Sequence, residues 1–228
     1  MSYTIEVKNK SGHAGRVYSF LSAKAVITGA GNNADTTKSI TWFRSRRLDN
    51  LGAATFNFDN SYYGFMGSSG SATLGAGSIV NVQTEKKVTL GKKEGILALD
   101  EDCTFSVISP DDENPVPGRN QFSIAASARL QPFHDVIGVS RGIDLGDGIN
   151  PAPINCVSLQ AGPTYTITIN NAVYVKTANH NKQSIQASLD DDKTAVKVEF
   201  PYGMKKATVV EGADGKFEAP TYSPGGDN

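Results

Sequence analysis

The sequence is organised by short runs in which apolar and polar residues alternate, each closed by a turn rich in Gly, Asn or Asp. Tyr3, Ile5 and Val7 alternate with Thr4, Glu6 and Lys8 before Asn9-Lys10-Ser11-Gly12 turns the chain. Successive side chains leave a strand on opposite sides, so alternation is the mark of a strand with one buried face. Comparable runs recur at roughly 8–12-residue spacing, and none carries the helical period over a helix-length stretch. The runs are 3–8, 16–23, 25–28, 40–48, 53–59, 78–84, 87–90, 96–99, 103–108, 121–130, 136–140, 156–159, 164–169, 172–177, 184–188, 195–200, 207–211 and 216–219.

The fold expected from this pattern is all-β: an antiparallel β-sandwich, or two packed sandwich-like halves. Every proline lies at or after Pro110, and the polar stretch 110–118 holds three of them. It is the expected boundary between a β-rich half, 1–109, and a second, 119–219. A single domain spanning 1–219 is the alternative. Residues 220–228 are expected to form a flexible tail.

At 228 residues the chain is long enough for a full core. Hydrophobic residues make up 39% and charged residues 20%, with a net charge of −1. That balance describes a globular protein and argues against nucleic acid as a partner. The start, Met1-Ser2-Tyr3-Thr4, runs directly into a strand with no signal-peptide pattern, and no apolar run is long enough to span a bilayer. A cytoplasmic protein without a membrane span is expected. Cys103 and Cys156 lack metal-type spacing and read as free thiols, with a single disulfide as the alternative.

Two segments carry unusual side chains. Strand alternation through Trp42-Phe43-Arg44-Ser45-Arg46 would put Trp42, Arg44 and Arg46 on one face. An indole stacks on a sugar ring, and guanidinium groups reach hydroxyls or anionic groups. Residues 61–77 mix aromatics with glycines, and Tyr62, Tyr63 and Phe65 there suggest a loop surface that completes the same site. A structural reading of both segments, with the aromatics in the core, stands beside the functional one.

Catalytic and metal signals are sparse. His134-Asp135 has the order of a base and its orienting carboxylate, but no nucleophile elbow or His-Glu-x-x-His accompanies it. Asp144-Leu145-Gly146-Asp147-Gly148 is the best cation-like loop, with Asp144 and Asp147 as carboxylate ligands for calcium. Residues 111–113 and 190–192 would add acids to it. The same residue types also favour plain turns.

Three stretches together resemble a group of uncharacterised, leaderless β-rich proteins of filamentous fungi. They are Ser2-Tyr3-Thr4-Ile5-Glu6-Val7-Lys8-Asn9-Lys10-Ser11-Gly12, Tyr18-Ser19-Phe20-Leu21 and Tyr62-Tyr63-Gly64-Phe65-Met66-Gly67; the Tyr165-Thr166-Ile167 strand fits as well. The opening Met1-Ser2-Tyr3-Thr4-Ile5 also looks like the start of cytosolic fungal lectins related to actinoporins, whose chains are shorter and match nothing after it. The resemblance implies a β-sandwich in a fungal cytosol and carries no activity or site residues. The leading expectation is a non-enzymatic, lectin-like protein that takes a carbohydrate or other small ligand. A structural or self-assembling protein, possible as a homo-oligomer, and a small hydrolytic or tailoring enzyme using His134 and Asp135 are the alternatives.

Overall fold

The computed structural model describes residues 2–225 except 34, 72, 112–113, 179 and 187–193. Five strands open the chain: β1 (Ser2–Asn9), β2 (Tyr18–Ser22), β3 (Val26–Thr28), β4 (Lys38–Arg44) and the long β5 (Ala53–Ser68). β6 (Asn81–Val88), β7 (Ile96–Leu99) and β8 (Phe105–Val107) follow, with one 3-10 turn at Lys93–Gly95. After the 110–118 stretch come β9 (Gln121–Ala126), β10 (Asp135–Asp144), β11 (Ile149–Ser158), β12 (Thr164–Thr168) and β13 (Val173–Thr177). β14 (Ile185–Gln186), β15 (Ala195–Val198), β16 (Lys206–Glu211) and β17 (Thr221–Ser223) complete the order.

These strands form two sheets among the described residues. The larger runs β15-β13-β2-β4-β11-β10-β5-β1-β16-β17, with β14 added to β4 and β6 added to β5. The smaller runs β3-β12-β9-β7-β8. The protein is all-β, but both sheets are mixed rather than purely antiparallel, because β1 pairs with β16 and β7 with β9 in parallel. Each sheet draws strands from before residue 109 and from after residue 119. The residues after Pro220, expected to be loose, include β17, which pairs with β16.

The two sheets share one core. Phe20, Trp42, Phe56 and Phe58 of the larger sheet join Leu97, Phe122, Ile124 and Ile167 of the smaller in a single buried cluster. The centre of the larger sheet is covered on its other face too. There Ile40, Phe65, Val136, Cys156 and Ile185 form a second cluster with Val80. Neighbours along a strand therefore belong to opposite clusters, as Met66 and Phe65, Ile137 and Val136, and Val157 and Cys156 do. Burial on both faces replaces alternation by a continuous apolar run.

Two segments depart from their sequence reading for identifiable reasons. The Gly-rich stretch is strand rather than loop as far as Ser68. A side chain at Gly64 would meet Leu97 at 2.9 Å, and one at Gly67 would meet the Asn81 carbonyl at 2.3 Å. The glycines are there for close approach of neighbouring layers and strands. Residues 142–153, which the sequence pattern leaves as a loop between the runs 136–140 and 156–159, lie mostly in the β10–β11 hairpin. β11 meets β4 only at Asn155 and Cys156, so on that edge Pro151 and Pro153 face no partner strand.

Gly138 is the tightest of these contacts: an added Cβ would lie 2.1 Å from the Asn155 carbonyl and 2.8 Å from the Phe65 ring. Gly138→Ala should lower stability in urea unfolding by about 2 kcal/mol or more, the size of an overpacked core. Gly75→Ala, with open space around it, should be neutral within about 1 kcal/mol.

Candidate functional site

The site follows from how β5 changes partners. β10 accompanies β5 along one edge, from Asn57 to Ser68. On the opposite edge β1 pairs with residues 53–59 and β6 with residues 62–68. Between the two, the register against β10 jumps from Tyr62↔Arg141 to Phe58↔Ile143, so β5 bulges outward at Asp59, Asn60 and Ser61. The Asp59 carboxylate folds back on the bulge, accepting from the Ser61 amide at 2.8 Å and the Ser61 hydroxyl at 2.9 Å. A notch is left where β1 begins and β6 ends.

Arg141 fills the base of this notch from β10. It is only 2% exposed. Its Nε donates to the Asp59 carbonyl at 2.9 Å and Nη2 to Asn60 Oδ1 at 2.7 Å. Nη1 donates to the Asn171 carbonyl at 3.4 Å, reaching the connection between β12 and β13. Aromatic faces surround the guanidinium, with ring centroids at 4.5 Å for Phe58, 5.4 Å for Trp42 and 5.5 Å for Tyr62. Burial pulls the guanidinium below its ordinary pKa, but an arginine keeps its charge even so. Burial likewise raises the Tyr62 phenol, against the pull of Arg141, and its hydroxyl donates to Asn171 Oδ1 at 2.6 Å.

Three cavities meet along this notch. One of about 330 Å³ is lined by Asn60, Ser61, Tyr62, Lys87, Asn120 and Asn171, among others. It shares Asn60 and Asn171 with a second, of about 120 Å³, over Arg141. Tyr3 and Phe200 join that one to a third of about 440 Å³, walled by Pro201, Tyr202 and Met204. The third is built on a turn closed by the Met204 amide donating to the Pro201 carbonyl at 3.0 Å. Gly203 takes a φ of 80° there, as a type II turn requires at that position, and Tyr202 stands fully exposed. These adjoining cavities share wall residues and form a row, termed the groove, that is amide- and hydroxyl-rich at one end and aromatic at the other.

The residues singled out in the sequence do not share a surface. A register shift against β2 makes Trp42 the extra residue of a bulge, so Ile40 and Trp42 belong to opposite clusters. Trp42 is buried with Phe56, Phe58 and Arg141, whereas Arg44 and Arg46 are exposed. Phe65 lies in the second cluster and Tyr63 is half-buried. Tyr62 alone lines the groove.

His134 precedes β10 with a φ of 59°, and its ring stacks on Phe133 at 4.1 Å. The Asp135 carboxylate accepts from the Phe133 amide at 2.9 Å, so it fastens its own turn. Asp144 accepts from the Gly146 amide and Asp147 from the Asn150 side chain, as turn acids do. Among the described residues no group of three His, Cys, Asp or Glu side chains is placed to hold a metal. The acids at 112–113 and 190–192 lie outside the described residues. Both cysteines are free, and burial pushes the Cys156 thiol up to about 12.

Sequence reasoning missed Arg141, Asn60, Asn171 and Tyr202. For Arg141 a signal existed: it shares its alternation phase with Ile137, Val139 and Ile143, which places a charge on the core face. Comparison with protein-family models, curated proteins and solved structures finds no match for the chain.

Arg141→Ala should cost about 3 kcal/mol in urea unfolding, since it opens a cavity and strands three acceptors. Stability should also fall as pH rises from 9.0 toward about 12, because the native state there keeps a Cys156 proton that the unfolded chain has released. Cys156→Ala should lessen the decline that begins near pH 9.0 in a pH series of unfolding curves. The further loss above pH 10.0 should remain, because burial also raises Tyr18, Tyr62 and Tyr165.

Proposed function

We propose that the protein is a non-enzymatic, lectin-like binding protein whose site is the groove over Arg141. The observation that carries this reading is the groove's composition: side-chain amides of Asn60, Asn120 and Asn171 at one end and an unburied Tyr202 ring at the other. Side-chain amides match sugar hydroxyls as both donors and acceptors. An exposed ring offers an apolar face to a pyranose and costs little entropy to immobilise. The β5 bulge and the Pro201–Met204 turn hold these groups on a fixed frame, so the ligand pays little for ordering the protein.

The stacking of a large sheet on a small one supports describing the fold as sandwich-like. The likeness of the opening strands to leaderless fungal proteins supports a fungal, cytoplasmic setting within the same proposal.

Binding of labelled protein to a broad glycan array, with and without calcium, tests the reading. Tyr202→Ala should weaken any array signal about tenfold, roughly 1.4 kcal/mol, and leave the melting temperature unchanged. An array without a specific signal in either condition would remove the lectin-like reading.

A further inference from the structure

The buried guanidinium specifies more about the ligand than the polar lining does. Arg141 is a buried charge with no carboxylate of the described residues in ion-pair distance. Its three acceptors are all neutral: two backbone carbonyls and the Asn60 amide oxygen. Each terminal guanidinium nitrogen carries two hydrogens, and among the described residues one bond is made from Nη1 and one from Nη2. The remaining donors belong to a side chain that lines the cavity of about 120 Å³.

A charge in such surroundings interacts with a counter-charge more strongly than it would in water. The planar fork of a guanidinium fits the oxygens of a carboxylate, sulfate or phosphate. Lys87, exposed at the end of β6, lines the adjoining cavity and adds positive potential at its mouth. The acid lining the Arg141 cavity is Glu199, whose carboxylate is held 3.0 Å from Lys197 Nζ. Glu199 opposes an incoming anion, as does the Asp59 carboxylate, whose charge also reaches Arg141 although its oxygens are engaged by Ser61.

We infer that the groove's ligand carries an oxyanion group, seated on the unused N–H donors of Arg141, with its hydroxylated body in the adjoining cavity lined by Asn60, Asn120 and Asn171. For a carbohydrate this means an acidic sugar, a uronate or a sulfated unit. The inference rests on the groove being the ligand site and narrows the lectin-like reading to one class of sugar.

Trp42, the chain's single tryptophan, lies 5.4 Å from the guanidinium and serves as an intrinsic reporter. Its fluorescence, together with the Arg141 Nε–Hε resonance of labelled protein, is followed while glucuronate, glucose or inorganic sulfate is added. Glucuronate should give a saturable change in both signals and glucose none. Glu199→Gln, which leaves Arg141 and its bonds in place, should tighten glucuronate about two- to fivefold, the range of an exposed charge contact. Response to sulfate equal to that for glucuronate supports the oxyanion seat and overturns the carbohydrate reading. Equal response to glucose and glucuronate overturns the seat and leaves the carbohydrate reading standing. No response to either anion, or no gain from Glu199→Gln, overturns the inference.

Discussion

A charged side chain inside a β-core has to be solvated by the protein itself, and the arrangement around Arg141 is organised by that need. Its hydrogen bonds reach the β5 bulge at Asp59 and Asn60 and the β12–β13 connection at Asn171. The rings of Phe58, Trp42 and Tyr62 supply the remaining contacts. Cation–aromatic contacts of this kind strengthen when water is excluded. The guanidinium thus braces a bulge that Asp59 and Ser61 also fasten from within, and it ties the larger sheet to a loop that leaves the smaller one.

The notch is equally a product of topology. β5 is long enough to serve two partners on one edge, and β10 supports it on the other from Asn57 to Ser68 on both sides of the bulge. Where β1 gives way to β6, the ladder cannot be continuous, and backbone and side-chain polar groups face the gap. A discontinuity in an otherwise two-sided core is where ligands find both depth and polar contacts. The side chains around it come from Tyr3, Asn60, Lys87, Asn120, Arg141, Asn171 and Tyr202, which are remote in sequence.

That remoteness explains what the sequence could and could not reveal. Local alternation identified Tyr3–Val7 and Tyr165–Ile167 as strands, and the absence of helical periodicity set the all-β class. Local rules failed where tertiary contacts override them. Pro151 and Pro153 sit in a strand whose β4 edge is unpaired at their positions, and Gly64 and Gly67 sit in one because adjacent layers come too close for a side chain. Trp42 changed face through a bulge, which a strict two-residue period cannot anticipate. Arg141 was legible in principle from its phase with Ile137, Val139 and Ile143. Asn60, Asn171 and Tyr202 were not, since an asparagine or tyrosine beside a turn is ordinary until the fold brings it to a cavity.

The parallel pairing of β1 with β16 has a consequence for the order in which the protein takes shape. β1 leaves the ribosome some two hundred residues ahead of its partner. Until Lys206–Glu211 emerges, β1 can pair with β5 but its other edge stays open. An open edge invites pairing with foreign strands, and charges on it discourage that. Glu6 and Lys8 sit on that strand, and in the finished protein Glu6 accepts Lys206 at 3.1 Å. The same carboxylate that welcomes the last partner can guard the vacancy during synthesis.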